Sequence, residues 1–359
     1  MKIFGTKRNG AHYAKKRRRG LRVFLILCII AVTVTGGVYA WVTINVRPPV
    51  VPVFEPPRSH PTSPTDNSEN PAPTLPPERF DREIYTILVL GQDNVGEVGL
   101  TDTVMLVAVD TANGRVNVLS IPRDTLVDVS WTVRKINSVM PMTRGDVNRV
   151  MEEVEKLTGF RPDNYVVLGL QALEDLVNVL DGVEFYVPVR MVHDDPYQTP
   201  PVHINLQQGL QTLNGNQAQQ VVRFRGYPNG DIGRIETQQA FLRAVAAELL
   251  QIRNIPRIHE LVGIFIEHVD TDIPLGTLIW YATELMGVDS EDLNFFTMPS
   301  TEAVVEGIGY IVVEIDPWLE LINHYFNPYP VPVQEENVRL FTRRDGTVRL
   351  VGEGNFLTP

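Results

Sequence analysis

Four arginines and two aspartates stand near the ends of β-rich runs. They are Asp93 in Leu90-Gly-Gln-Asp93, Asp102 in Gly99-Leu-Thr-Asp102, Arg123 in Ser120-Ile-Pro-Arg123, and Arg223, Arg225 and Arg234 in the stretch Val222 to Arg234. Ends of strands are where layered α/β proteins usually place ligands. Guanidinium groups grip phosphate through paired donors, and two aspartates offer hard oxygens of the kind that Mg²⁺ shares with substrate phosphates. The set therefore suits a di- or polyphosphate with a divalent cation, Mg²⁺ (or Mn²⁺). Taken singly, each arginine reads as a surface ion pair worth about 0–1 kcal/mol. It is the recurrence at successive strand ends that points to an anion.

Local chemistry around the last three arginines supports the same expectation. Arg223 and Arg225 flank Phe224, so in an extended chain they point to one side. Asp231 and Gly233 can cap the next helix, whose start offers free N–H groups and a positive dipole end. Arg234 and Gln238, four apart, share a face of its first turns. Competing chemistries lack support: the chain has no G-x-x-x-x-G-K-[ST], H-E-x-x-H or G-x-S-x-G motif, and its seven histidines are scattered. His193-Asp194-Asp195, next to Pro196, reads as a turn rather than a metal site.

These residues must be held by alternating strands and helices. Apolar runs at 84–90, 103–109 and 116–121 predict strands, the last two joined through Asn113-Gly114. Helical spacing at 147–157 ends at Gly159. Strand, helix and strand follow at 165–168, 172–180 and 183–187. A short capped helix at 213–222 precedes a longer amphipathic one at 234–250. Helices near Ile258 and Leu275 and strands near Phe295 and Ile311 complete the pattern. Such alternation predicts a layered α/β/α domain with a mixed central sheet flanked by helices. The final residues, around Asp345-Gly346, predict a hairpin without a legible role.

Of the 32 Lys and Arg, nine fall in residues 1–22, where there is no acid. The rest of the chain holds 23 basic against 43 acidic residues, a charge of −20. That excludes nucleic acid as a natural partner, since phosphate backbones require a basic footprint. Val23 to Val46 carries no charge and is long enough to cross a bilayer, which needs about 20 apolar residues. With Lys15-Lys-Arg-Arg-Arg19 before it, the expectation is one N-terminal transmembrane helix, a cytoplasmic tail at 1–22 and an extracytoplasmic C-terminus at the cell membrane. A cleaved signal peptide would have a shorter apolar core, about 7–15 residues. Residues 47–80 contain eleven prolines and predict an extended spacer. The expected domain spans 81–325, and 326–359 form a C-terminal tail. Cys28 is the single cysteine, so no intrachain disulfide exists.

The chain resembles the LytR–CpsA–Psr family of membrane-anchored cell-envelope proteins. The matching segments include Leu90-Gly-Gln-Asp93, Thr101-Asp-Thr-Val-Met-Leu-Val107, Leu119-Ser-Ile-Pro-Arg-Asp124, Lys135-Ile-Asn137, Gln211-Thr-Leu-Asn-Gly215, Val222-Arg-Phe-Arg225 and Gly230-Asp-Ile-Gly-Arg-Ile235. The resemblance implies a phosphotransferase that moves a glycopolymer from a polyprenyl-pyrophosphate carrier onto peptidoglycan through a phosphodiester. Asp93 and Asp102 would hold Mg²⁺, and Arg123, Arg223, Arg225 and Arg234, supported by Gln238, would clamp the pyrophosphate. Asp93, Asp102 and Arg123 would be catalytic, and the lipid tail would lie in an apolar tunnel between sheet and helices. The chain departs from the family pattern where an arginine is common: Leu100, Thr125-Leu-Val127 and Thr237. Arg134 is the candidate to compensate. Two further readings keep the same site: a protein that binds polyprenyl-pyrophosphate glycans without transfer, and a lipid pyrophosphatase.

Overall fold

The computed structural model describes residues 46–49, 84–92, 100–197, 201–228, 230–249, 251, 257–285 and 288–357. The expected membrane anchor, nearly all of the proline-rich spacer, and Asp93 lie outside them. Among the described residues no helix is long and apolar enough to cross a membrane. The chain divides into two units, 1–48 with 274–281 and 49–273 with 282–359. The cores and the site all belong to the second.

Alternation builds the central sheet. In β1 (Ile84–Gln92), Ile84, Thr86, Leu88 and Leu90 are buried and their neighbours half-buried, as a pleated strand covered unequally on its two faces requires. β2 (Thr101–Asp110) pairs antiparallel with it and with β3 (Arg115–Ile121), after a turn in which Asp110 Oδ1 accepts from the Asn113 amide. α1 (Val147–Thr158) starts at Asp146, whose side chain accepts from Asn148 N, and stops at Gly159 in the left-handed conformation. β4 (Asn164–Gly169) returns parallel to β1. Next come α2 (Leu170–Val179) and four short strands: β5 (Val183–Val187), β6 (Met191–Asp195), β7 (Val202–Leu206) and β8 (Gly209–Leu213). β5 pairs with β8, and β6 with β7, both antiparallel. Thus His193 and its two acidic neighbours lie in a strand, not a turn: β7 supplies the hydrogen bonds that make the segment extended.

α3 (Gly215–Arg223) opens with Asn214 and Gln217 capping each other's backbone. It runs through Arg223, and the chain becomes extended only at Phe224 (φ −67°, ψ 133°). Arg223 and Arg225 therefore do not alternate along one strand, because the Gln220 carbonyl still takes the Phe224 amide. α4 (Asp231–Leu249) begins three residues earlier than its apolar pattern predicts. α5 (Ile258–His268), β9 (Val269–Thr271), α6 (Leu275–Leu285) and β10 (Leu293–Thr297) follow. The six-stranded sheet has the order β10-β3-β2-β1-β4-β9 and mixes parallel with antiparallel pairs. A second sheet combines β11 (Ser300–Val305) and β12 (Ile308–Val313) with two strands that come after α7 (Ile315–Tyr325): β13 (Leu340–Arg344) and β14 (Thr347–Val351).

Each face of the main sheet buries its own core. Leu88, Leu106 and Leu119 point toward α1 and α7, where Val150, Val154, Trp318 and Ile322 meet them. The alternate residues Met105, Val116 and Val118 point the other way, against Leu242 and Ala246 of α4. Phe241 and Val245, one position away on α4, enter a third cluster with Phe185 and Val221. The helix is therefore wedged between two apolar clusters rather than carrying a single apolar stripe. The result is a mixed α/β fold with a central mixed sheet flanked by helices. Phe326, Val333, Val338 and Leu340 sit in the main core, so residues after 325 complete the fold.

Candidate functional site

The site forms where β2, the end of β3 and the segment after α3 come together. Asp102 is the second residue of β2, and Arg123 follows β3 by two residues. Antiparallel pairing of these strands sets both at one end of the sheet, where Arg123 Nη1 donates to Asp102 Oδ1 at 2.6 Å. Arg225 Nη2 donates to Asp102 Oδ2 at 2.7 Å. A single carboxylate thus receives a different guanidinium on each oxygen. Burial differs along this chain of charges: Asp102 and Arg123 side chains are 17% and 20% exposed, Arg225 57%. Gly91 faces Thr103 across the β1–β2 pair, and a Cβ there would come within 2.9 Å of the Thr103 Cβ. A larger residue would push β2 and its aspartate away from β1.

Beside this pair lies a cavity of about 500 Å³, lined by Asp102, Arg223, Arg225, Arg234 and Gln238 together with Val89, Met105, Leu168, Leu173 and Leu242. It is a largely apolar space with a cationic end. Arg234, in the first turns of α4, is only 4% exposed, which argues for a positioned charge rather than a solvated one. Gln238 donates to the Val222 carbonyl at 2.9 Å, tying α4 to the last turn of α3 just before the extended segment that carries Arg225. Its neighbour Gln239 donates to Ser120 Oγ and Thr297 Oγ1, both at 2.9 Å, and so ties α4 to the ends of β3 and β10. Of the residues expected from sequence, Asp102, Arg123 and Arg225 are in direct contact. Arg223, Arg234 and Gln238 line the cavity with Asp102 and Arg225, Arg123 lines an adjoining cleft with Arg234 and Gln238, and Asp93 lies outside the described residues.

Among the described residues no group of three His, Cys, Asp or Glu gathers to hold a metal. Mg²⁺ often binds through one or two carboxylates plus substrate phosphates. Each Asp102 oxygen retains acceptor capacity beyond its arginine bond, so this donor set fits a cation shared with a phosphate ligand.

Sequence reasoning did not single out Tyr227 as a site residue. It is buried, packs edge to face on Phe224 with ring centroids 5.0 Å apart, and props the Arg225 turn against α4. Burial pushes its hydroxyl above the ordinary 10.0, while Thr237 and Arg234 pull the other way. Thr237, where the family often has arginine, is buried here and adjoins that ring. Thr125, Leu126 and Val127 are buried as well, 0%, 1% and 3% exposed, so a cation after Arg123 would have no water to face. Leu100 is 51% exposed. Arg134 does not compensate for it: its guanidinium packs over the Phe341 ring, 5.4 Å from the centroid, and does not line the cavity. His193 and Asp195, on the same face of β6, do line it, a placement legible only once β6 was seen to be a strand.

Known proteins resemble this chain in sequence and in fold. "Regulatory protein MsrR" of Staphylococcus aureus is 29% identical over 228 residues, 62% of this chain and 66% of that protein, just under two thirds of its length. "Polyisoprenyl-teichoic acid--peptidoglycan teichoic acid transferase TagU" of Oceanobacillus iheyensis is 25% identical over 309 residues, 83% of this chain and 91% of that one. The crystal structure of B. subtilis TagV shares the fold with a TM-score of 0.57 at 24% identity, covering 67% of this chain and 94% of that chain. The model of the LytR_cpsA_psr family matches residues 59–325, most of the chain, and the protein belongs to that family.

Proposed function

We propose that this protein transfers a glycopolymer from a polyprenyl-pyrophosphate carrier to peptidoglycan at the cell envelope. One observation carries the reading: a cationic cluster built on Asp102, Arg123 and Arg225 closes the end of an apolar cavity. An amphiphile with an anionic head and a branched hydrocarbon tail matches both halves. The name of the related TagU, a teichoic acid transferase acting with polyisoprenyl and peptidoglycan substrates, supports the same class of reaction.

In this reading the lipid enters between Met105, Leu173 and Leu242, and the pyrophosphate meets Arg223, Arg225 and Arg234 of the cavity and Arg123 of the adjoining cleft. A hydroxyl of the acceptor sugar forms a new bond to the phosphorus that carries the glycan. The bond from that phosphorus to the bridging oxygen breaks, and polyprenyl phosphate leaves with the bridging oxygen. The hydroxyl proton passes to a base or to solvent. Little covalent work falls to the protein, whose role is positioning and charge neutralisation. Asp102, with Asp93, would hold Mg²⁺, which when bound neutralises charge on the phosphate oxygens. Asp102 also keeps Arg123 and Arg225 aligned.

The test is transfer from a lipid-pyrophosphate glycan to peptidoglycan by wild type, Asp102→Ala and Arg223→Ala. Losing one preorganised electrostatic contact costs roughly 10²–10³-fold in rate. Equal transfer by all three proteins would reject the site. A second reading, binding without transfer, draws on Leu100, an exposed apolar side chain at a position where the family often has arginine. One turnover removes it, whereas free phosphate-terminated glycan as product would indicate pyrophosphatase action instead.

A further inference from the structure

Asp102 is the extra residue of a β-bulge. Along the β1–β2 pair Gly91 faces Thr103 and the next residue, Gln92, faces Thr101, so Asp102 has no partner on β1. On the other side the β2–β3 pairing starts only at Val104, opposite Ile121. The carboxylate is therefore carried by a residue outside both ladder registers. Bulges re-aim a side chain locally, and Asp102 can turn while Thr101 and Thr103 keep their places on β1.

The same residue stands between two spaces. Arg223, Arg225 and Arg234 line the apolar cavity, Arg123 and Arg234 line the adjoining cleft, and Asp102 lines both. Its oxygens divide in the same way: Oδ1 takes Arg123 of the cleft and Oδ2 takes Arg225 of the cavity. A pyrophosphate that touched both arginines would have to reach across the position this carboxylate holds. Carboxylate and phosphate accept from the guanidinium fork in the same manner, so the two compete for it. Arg225 is the more exposed of the two partners, and water weakens its pair more, so displacement begins there.

We propose that Asp102 is an internal competitor of the donor, holding Arg123 and Arg225 in a self-neutralised cluster until a pyrophosphate takes them over. The inference rests on the transfer reading above and deepens it by naming how that site is regulated. A displaced carboxylate and an arriving phosphate repel each other, which opposes binding for as long as Asp102 keeps its bare charge. Asp102 oxygens have lone pairs left over for a divalent cation, which would turn that repulsion into attraction. Asp102 thus shifts its charge from arginines to a cation as the donor binds. By linkage, cation and pyrophosphate each raise the other's affinity.

The test is calorimetric binding of geranyl pyrophosphate to the full chain in detergent micelles, in EDTA and then in Mg²⁺. Wild type is compared with Asp102→Asn and Asp102→Ser, which remove the charge, and with Asp102→Glu, which keeps it. In EDTA the two neutral variants are expected to bind about tenfold more tightly than wild type, the size of one charge-assisted contact, while Asp102→Glu stays with wild type. Mg²⁺ should tighten wild type and leave the neutral variants nearly unchanged. Neutral variants that bind no tighter than wild type in EDTA would overturn the proposal, leaving Asp102 to align the arginines and the donor reading intact. Equal tightening by Asp102→Glu would overturn it too, because a loosened bulge rather than a lost charge would be the cause. If no protein binds the lipid under either condition, the donor reading fails and the competition with it.

Discussion

Asp102 and Arg225 are 123 positions apart in the chain and 2.7 Å apart at their side-chain tips. Asp102 thereby bridges two arginines from separate elements, and the cationic end of the cavity is organised around one carboxylate.

Removing Arg225 should separate binding from stability. Its side chain is 57% exposed, and such ion pairs stabilise by only about 0–1 kcal/mol. A charge-assisted hydrogen bond to bound pyrophosphate is worth about 1.5–3 kcal/mol. Arg225→Ala should therefore weaken polyprenyl-pyrophosphate binding roughly ten- to a hundredfold while the denaturation midpoint barely moves. Arg225→Lys should fall between, because an ammonium keeps the charge and loses the fork. Unchanged affinity in the alanine variant would remove Arg225 from the site.

Trp318 is the packing anchor of the main core. It is fully buried, and its indole N–H donates to the Leu157 carbonyl at 2.7 Å, joining α7 to the last turn of α1. Trp318→Ala should cost about 3–5 kcal/mol in chemical denaturation. Trp318→Phe keeps most of the volume and leaves the carbonyl unpaired, for about 1–3 kcal/mol. A loss below 1 kcal/mol in both would contradict this packing.

Glu153 makes stability depend on pH. Only 2% exposed, it is raised above its ordinary 4.5 chiefly by burial; Lys156 and Arg149 pull it down and Asp128 pushes it up. Glu155 is raised in the same way, against the pull of Arg161. The folded state holds these protons more tightly than the unfolded chain. Their contribution is therefore complete below pH 4.5 and is lost as pH rises through the folded values. Glu153→Gln should gain stability relative to wild type between pH 4.5 and neutrality. Denaturation curves that shift in parallel for both proteins would show that Glu153 does not carry the effect.

Deleting residues 326–359 should abolish cooperative folding. Phe326, Val333, Val338 and Leu340 are 0%, 2%, 0% and 1% exposed within the main core. At about 1.5–3 kcal/mol for each buried side chain, four of them supply about 6–12 kcal/mol, comparable with the whole stability of about 5–15 kcal/mol. A truncated chain that stays soluble and melts sharply would show the segment to be dispensable.

The residues themselves explain which expectations were within reach. Gly159 ends its helix as read from sequence, because a helix stop is written in one residue with a left-handed φ. Asn214 likewise announces α3 through its own cap. His193 read as a turn because a polar run beside proline resembles one locally. Only the partner strand, ending at Leu206, makes it extended. Arg134 drew notice as a spare cation, yet its place over Phe341 depends on a strand more than 200 residues later. The burial of Thr125 to Val127 likewise depends on Ile311, which lies far along the chain.

The amino-acid sequence alone determined the alternation of strands and helices and the caps that bound several of them, because those signals repeat over two to four residues. It also determined that arginines and aspartates cluster near strand ends in an acidic chain. Tertiary structure decided which of those charges meet, which helix is wedged between two cores, and how the C-terminal strands join the Arg123 segment. Those outcomes depend on pairings between residues tens to hundreds of positions apart, and no local period encodes such a pairing.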